Sequence, residues 1–95
     1  PVKAALQSAT RYLAAELGPQ GIRVHAISPG PVPTRAASGI AEFDTLMKDA
    51  SERSAMRRLV DLEDVGALAA YLVSDGARGL TGNTLVVDAG HSIIQ

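Results

Sequence analysis

The sequence contains no cysteine, no excess of positive charge and no long apolar run. Without cysteine the chain can form neither disulfides nor thiolate zinc sites, which fits a reducing compartment, so we expect a cytoplasmic protein. The formal net charge of −1 argues against nucleic-acid and anionic-membrane partners, because both select a basic excess. No apolar run approaches the length of a membrane span. The 46% hydrophobic content is that of an ordinary globular chain.

Two segments have the composition and periodicity of amphipathic helices. Residues 3–17 lack glycine and proline and carry apolar side chains at helical spacing. Gly18 followed by Pro19 predicts the end of this helix, because Gly18 tolerates a left-handed conformation and Pro19 cannot continue a helix. A second helix is predicted to start at Asp61, whose carboxylate can cap the first turn while Asp64 lies three residues further on.

Two short runs between and after these helices predict strands. Residues 22–28 alternate β-branched and polar side chains, with His25 expected to be an exposed or hydrogen-bonded ring. Residues 84–88 form an apolar run that suits a strand buried on both faces of a parallel sheet. Apolar side chains three and four positions apart over residues 40–50 predict a further helix. The charged segment 51–59 has no clear period and is predicted to be a loop.

The predicted order of helix, strand, helix, helix and strand indicates an α/β fold. Two strands joined by a helical crossover form a parallel pair of the kind found in doubly wound, Rossmann-like sheets. A two-stranded sheet cannot cover its own edges and makes a poor independent domain. Because the chain also begins Pro-Val-Lys and not with methionine, we expect residues 1–95 to be the C-terminal part of one domain whose N-terminal part is absent.

A proline-rich segment, SPGPVPT, directly follows the first predicted strand. Ligands of open parallel sheets bind beyond the carboxyl ends of the strands. Its three prolines limit backbone freedom before a ligand arrives, Gly30 permits a close backbone approach, and Thr34 supplies a hydroxyl. The residues alone leave two interpretations open, a ligand-binding loop and a stiff connection with no ligand.

Several stretches resemble one enzyme superfamily. RYLAAELGPQGIRVHAISPGPVPT and LEDVGALAAYLVSDGARGLTGNTLVVDAG resemble the C-terminal part of short-chain dehydrogenases/reductases. Within that superfamily, TRAASGIAEF and GHSII are similar to the bacterial enoyl-acyl carrier protein reductases of fatty acid biosynthesis. The resemblance implies a dinucleotide-binding domain that takes NADH, with NADPH possible, and delivers hydride to the β-carbon of a trans-2-enoyl thioester on acyl carrier protein. It also implies a homotetramer.

The resemblance assigns roles to individual positions. Lys3 falls on the family's lysine, a catalytic residue that also holds the cofactor ribose. An ammonium group there donates hydrogen bonds to ribose hydroxyls and favours the negative charge that forms nearby. No metal site is expected, because the two histidines lack partners at a metal-ligand spacing. The other implied cofactor-binding residues are Pro31, Val32 (through its backbone), Pro33 and Thr34, and the implied substrate-binding residues are Ala36, Ala37, Ile40 and Phe43.

The family's catalytic tyrosine has no counterpart in this sequence. In the enoyl reductases it lies seven residues before the lysine, and in typical superfamily members four, and both positions precede Pro1. Tyr12 and Tyr71 lie inside helical patterns, where core packing is predicted. We therefore expect the 95-residue chain to be inactive alone. Two alternatives stay open, another carbonyl or alcohol oxidoreductase of the superfamily and a non-catalytic piece acting only in assembly.

Overall fold

A computed structural model describes residues 1–33 and 42–94. Within them lie the helices α1 (Val2–Leu17), α2 (Phe43–Arg53) and α3 (Leu62–Leu72) and the strands β1 (Ala26–Pro29) and β2 (Thr84–Val87). Short 3-10 turns occupy Gly18–Gln20, Asp75–Ala77 and His91–Ile93. None of the helices in these two described ranges is long and apolar enough to cross a membrane.

The strands β1 and β2 pair in one sheet and run parallel. The Ala26 N–H donates to the Asn83 carbonyl at 2.9 Å, and the Gly30 N–H donates to the Val87 carbonyl at 3.2 Å. Donor and acceptor numbers therefore rise together along the two strands, as they do only in a parallel pair. This pairing, with helices in the connection, confirms the predicted α/β class.

The first strand is shorter than the predicted segment 22–28. The Val24 N–H donates to the Thr81 hydroxyl at 3.0 Å, and the Val24 carbonyl accepts from the Gly82 N–H at 2.8 Å. These bonds go to a turn, because the partner strand begins only at Thr84. A regular ladder therefore cannot start as early as the alternating pattern suggested.

Helix α1 ends at Leu17, as predicted, but Gly18 does not use the left-handed conformation that glycine allows. Gly18 has φ −55°, which is right-handed, and the left-handed glycine is Gly21 with φ 77°. Pro19 lies at the start of a 3-10 turn, where its missing N–H is not needed, so the chain continues right-handed for one more turn. The Gly21 N–H then donates to the Gly18 carbonyl at 2.9 Å.

Helix α2 continues into the segment predicted as a loop and ends at Arg53. Arg53 pairs with Asp49, one turn earlier, at 3.2 Å. A basic side chain in the last turn also complements the negative end of the helix dipole. Irregular structure therefore begins at Ser54, three residues later than predicted.

The described residues form two compact units, Pro1–Ser28 with Ala67–Leu85 and Pro29–Gly66 with Val86–Gln95. In the second unit, Val86 is 51% exposed, so the prediction that the second strand is buried on both faces is wrong for this structure. The buried residues of the first unit include Thr10, Ala14, Ala26, Leu72 and Ala77, and those of the second include Phe43, Ala50, Ser54, Val60 and Ala89.

Both tyrosines lie at the surface, so the prediction that they pack in a core is wrong. Tyr12 is 67% exposed because the buried side of α1 carries Thr10 and Ala14, each two residues away and so on the opposite side of the helix. Tyr71 is 49% exposed, and its hydroxyl donates to the Gly76 carbonyl at 3.3 Å. Both are amphipathic rings that tolerate a partly wet environment.

Candidate functional site

The segment implied to bind cofactor, Pro31–Val32–Pro33, follows the carboxyl end of β1 in the second unit. Pro31 and Val32 are half-buried and Pro33 is exposed. Val32 supplies the only backbone N–H of the three residues, because proline has none. No acceptor for that N–H lies among residues 1–33 and 42–94. One residue offering an N–H and a carbonyl fits the amide group of a nicotinamide, which needs both an acceptor and a donor.

Gly30 fixes where this segment begins. A Cβ at position 30 would lie 2.6 Å from the Cβ of Asp88 and 3.1 Å from its Cα. Both distances are too short for carbon atoms, so only glycine lets the end of β1 approach the residue that follows β2. The residue before Pro31 therefore rests directly against Asp88.

Asp88 is itself held by its neighbours. Its Oδ1 accepts from the Gly90 N–H and its Oδ2 from the Ser92 N–H, both at 2.9 Å. Desolvation raises the pKa of Asp88, but these hydrogen bonds and the nearby charge of His91 outweigh it, so the pKa lies below the usual value. The ionised carboxylate thus caps the turn that ends the described chain. Sequence reasoning did not single out Asp88, and the only available signal was the turn-forming Asp-Ala-Gly run.

The start of α3 bears out its predicted cap. The Asp64 N–H donates to Asp61 Oδ1 at 3.0 Å, and the Asp61 N–H donates to Asp64 Oδ2 at 2.9 Å, which is a reciprocal capping box. Arg58 adds an ion pair to Asp64 at 3.1 Å. The Asp61 N–H, and after it Arg58, hold the pKa of Asp64 below its usual range despite an opposing desolvation effect.

A shallow groove of about 360 Å³ lies between Pro33 and this helix start. Its other lining residues are Asp61, Leu62 and Glu63. Carboxylates already complement the positive end of the helix dipole there, and they would repel further negative charge. The groove therefore does not suit a pyrophosphate.

The remaining predicted residues lie in different parts of the chain. Lys3 is exposed in the first turn of α1, within the first unit. Phe43 opens α2 in the second unit and is 9% exposed, on the same helix face as Ala50. The predicted helix is confirmed at this position, and the contact of Phe43 with substrate stays a prediction. Four predicted residues, Thr34, Ala36, Ala37 and Ile40, lie outside the described residues.

Contrary to its prediction, His25 is not exposed, and its ring makes no hydrogen bond within residues 1–33 and 42–94. Both ring nitrogens are buried and have no partner among the described residues. The ring lines a groove of about 410 Å³ in the first unit, together with Arg23, Ile27 and Leu72. The Arg23 guanidinium is engaged at 3.0 Å by the Ala77 carbonyl. No group of three or more potential metal ligands occurs in the described ranges.

A family description and a curated relative match almost the whole chain. The model of the family described as enoyl-(acyl carrier protein) reductase matches residues 1–92. The enoyl-[acyl-carrier-protein] reductase [NADH] FabI of Haemophilus influenzae is 54% identical over 91 residues, which are 96% of this chain and 35% of that relative. The chain therefore spans about a third of the length of the curated relatives that it matches.

Solved structures of similar proteins share this architecture. The enoyl-acyl carrier protein reductase of Bacillus cereus, solved with NADP+ and indole naphthyridinone, is 44% identical with a TM-score of 0.87, over 98% of this chain and 36% of that one. The reductase of Anaplasma phagocytophilum, solved with NAD, is 49% identical with a TM-score of 0.86, over 97% of this chain and 35% of that one.

Proposed function

The chain belongs to the enoyl-(acyl carrier protein) reductase family, and from this premise we propose that it contributes cofactor and substrate contacts to an NAD(P)H-dependent enoyl-acyl carrier protein reductase. The proposed substrate is a trans-2-enoyl thioester carried on acyl carrier protein. Residues 1–95 are proposed to form the C-terminal part of a single dinucleotide-binding domain. The proposed pathway role is the reduction of the carbon–carbon double bond in fatty acid biosynthesis.

The observation that carries this proposal is the segment Pro31–Val32–Pro33 at the carboxyl end of a parallel strand. Ligands of doubly wound sheets bind at this edge. The half-buried Val32 presents its N–H and carbonyl between two residues that have no N–H, so the segment offers one defined amide-binding position. Because the flanking prolines limit backbone freedom, little ordering entropy remains to be lost on binding.

NAD(P)H, when bound, supplies the hydride that adds to the β-carbon of the enoyl thioester, and the α-carbon takes a proton from solvent. Lys3 is proposed to donate hydrogen bonds to the cofactor ribose and to favour the negative charge that develops on the thioester oxygen. Val32 is proposed to hold the carboxamide through its backbone, with Thr34 contributing its hydroxyl. Their shared task is orientation.

The substrate contacts are proposed for the segment after the cofactor residues. Ala36 and Ala37 are small and would leave room for a thioester, while Ile40 and Phe43 would supply an apolar wall. Phe43 opens α2 and is buried, which supports a fixed position for its ring. NADH is proposed as the cofactor, and the names of the similar proteins allow NADPH as well.

The complete protein is also proposed to be a cytoplasmic homotetramer. Exposed apolar side chains on α1, Val2, Leu6 and Leu13, support association of this helix with another surface. Light scattering after size-exclusion chromatography would give the molar mass in solution. Four times the mass of the complete polypeptide supports the tetramer, and the mass of one polypeptide contradicts it.

The test of the activity is NADH oxidation by the complete protein in the presence of crotonyl-CoA, a small enoyl thioester. We expect Lys3→Ala to lower kcat/KM by about 100-fold, the effect of removing one preorganised donor. Arg11→Ala removes an exposed cation from the same helix and should leave kcat/KM within about twofold of the unmodified protein. Equal effects of the two substitutions, or no oxidation by the unmodified protein, would contradict the proposal.

A further inference from the structure

The turn Asp88–Gly90 contacts two segments that the proposed function assigns to different ligands. On one side, Gly30 packs against Asp88 at the start of the cofactor segment, with no room for a side-chain carbon between them. On the other side, the Ala89 carbonyl accepts from the Met56 N–H at 2.9 Å. Both contacts lie within the second unit. Three consecutive residues therefore touch the cofactor segment and the chain that follows α2.

The second contact is close-packed as well as hydrogen-bonded. A Cβ added to Gly90 would overlap the Cβ of Ala55, so glycine is needed for this approach. Ala55 and Met56 follow directly after α2 and the buried Ser54, whose hydroxyl donates to the Arg58 carbonyl at 2.8 Å. Hydrogen bonds of Ser54 therefore hold the chain after α2 in place independently of its contact with the turn.

The turn itself has little freedom to absorb movement. Ala89 and Gly90 both have left-handed backbones, with φ 55° and 83°. The Asp88 carboxylate binds the N–H groups of Gly90 and Ser92 and so closes the turn from its first residue. A closed turn of three residues holds the segments on either side at a nearly constant separation.

From this geometry we infer that the Asp88–Gly90 turn is a positioning element that couples the cofactor segment to α2, with Asp88 as its principal positioning residue. The inference rests on the proposed function, because it takes residues 31–33 to bind cofactor and α2 to carry the substrate wall. A dinucleotide that binds residues 31–33 and fixes their placement against the turn then favours one placement of α2, and an enoyl thioester that contacts α2 favours the dinucleotide in return.

The test measures this coupling in the complete protein without turnover. The Kd of NAD+ is determined by titration calorimetry with and without saturating crotonyl-CoA, a pair that contains no hydride to transfer. The unmodified protein should bind NAD+ at least about fivefold more tightly when crotonyl-CoA is present, the lower end of ordinary coupling between sites. In Asp88→Ala and Gly90→Ala this ratio should fall to within about twofold of unity.

Gly21→Ala is the matched control, because Gly21 also has a left-handed backbone, φ 77°, and lies in the other unit. It should lose stability and keep the coupling ratio, so a lost ratio in the turn variants cannot be ascribed to strain alone. Asp88→Asn, which keeps an acceptor for Gly90 but not a second carboxylate oxygen for Ser92, should give an intermediate ratio even if Gly90→Ala fails to fold.

The outcomes separate the inference from the function on which it rests. An unmodified protein that binds both ligands without coupling, or an Asp88→Ala variant that keeps the full ratio, would overturn the inference and leave the proposed function standing. An unmodified protein that binds neither NAD+ nor NADH would overturn the proposed function itself. Loss of the ratio in the turn variants with retention in Gly21→Ala would support the inference.

Discussion

The carboxyl ends of the two strands are made rigid in different ways. After β1, Pro31 and Pro33 restrict the backbone through their own rings, and the Val32 N–H has no acceptor among residues 1–33 and 42–94. After β2, the chain is restricted by two hydrogen bonds to the Asp88 carboxylate and by left-handed residues. The first end is preorganised by covalent geometry, whereas the second depends on an ionised side chain and on glycine.

The difference explains which end suits ligand binding and which suits support. A proline-rich segment keeps its shape without hydrogen bonds from the backbone N–H groups beside it. Those N–H groups can therefore bind a ligand. In a capped turn the backbone N–H groups bind the capping side chain. Such a turn can hold other segments in place, but it has few free donors for a ligand. Gly30 and Asp88 are where the two ends meet, and substitutions on either side test the contrast.

The largest effect on stability is expected for Gly90→Ala. The added Cβ would overlap Ala55, and the residue would also hold φ 83°, so we expect a loss of about 3 kcal/mol in the free energy of unfolding. Urea denaturation of the complete protein gives this value. The control Gly21→Ala shares the left-handed backbone but has open space around its Cβ, so its loss should be about 1 kcal/mol. Equal losses would show that the contact with Ala55 is unimportant.

Gly30→Ala is expected to come next. Its Cβ would lie 2.6 Å from the Cβ of Asp88, so the ends of the two strands must separate. We expect this to lower the free energy of unfolding by about 2 kcal/mol. The same denaturation experiment measures it, with Gly18→Ala as control, because Gly18 has a right-handed backbone and open space for a Cβ. A loss no greater than that of the control would contradict the close approach at Asp88.

Asp88→Asn tests whether the turn after β2 depends on an ionised side chain, through the pH dependence of stability. The variant keeps one acceptor and loses the charge, so we expect a loss of about 1 kcal/mol near neutral pH. Because the pKa of Asp88 is lower in the folded state, its contribution is present above the unfolded pKa and is lost as the pH falls through the folded pKa. The difference between the two proteins should therefore shrink below about pH 4. A difference that grows on acidification would contradict this assignment.

The smallest expected effect is a gain from Ala89→Gly. Ala89 has φ 55°, which glycine adopts without strain, so the substitution should raise the free energy of unfolding by about 1.5 kcal/mol from this effect alone. Removing its buried methyl group costs about 0.8 kcal/mol, so the net gain should be about 0.7 kcal/mol. Thermal unfolding monitored by circular dichroism would detect the change, and a clear loss of stability would show that methyl packing outweighs backbone strain.

The sequence predicted the fold well where the interacting residues lie close together in the chain. The capping box at Asp61 and Asp64 could be predicted because both partners lie within one helical turn. Helix periodicity located α1 and α3 to within a residue or two. The early part of the first strand was mispredicted because its length depends on where β2 begins. β2 begins only at Thr84, so Val24 bonds instead to the turn at Thr81, 57 residues further along the chain.

The site was predicted only in part, for the same physical reason. The prolines after β1 are visible in the sequence, and the resemblance pointed to residues 31–33. The role of Asp88 could not be predicted, because its contacts with Gly30 join segments that are distant in sequence. The burial of the His25 ring could not be predicted either. It results from the residues that pack around the groove and not from the alternating pattern of the strand.

The most direct test of the proposed chemistry follows the hydride itself. The complete protein would be given NADH deuterated at the transferred position of the nicotinamide C4, with crotonyl-CoA and, separately, acetoacetyl-CoA, a ketone-bearing thioester of similar size. We predict rapid oxidation with crotonyl-CoA and deuterium on the β-carbon of butyryl-CoA, detected by mass spectrometry and NMR. Deuterium transfer only to the ketone, giving a hydroxyacyl product, would contradict the assignment as an enoyl reductase.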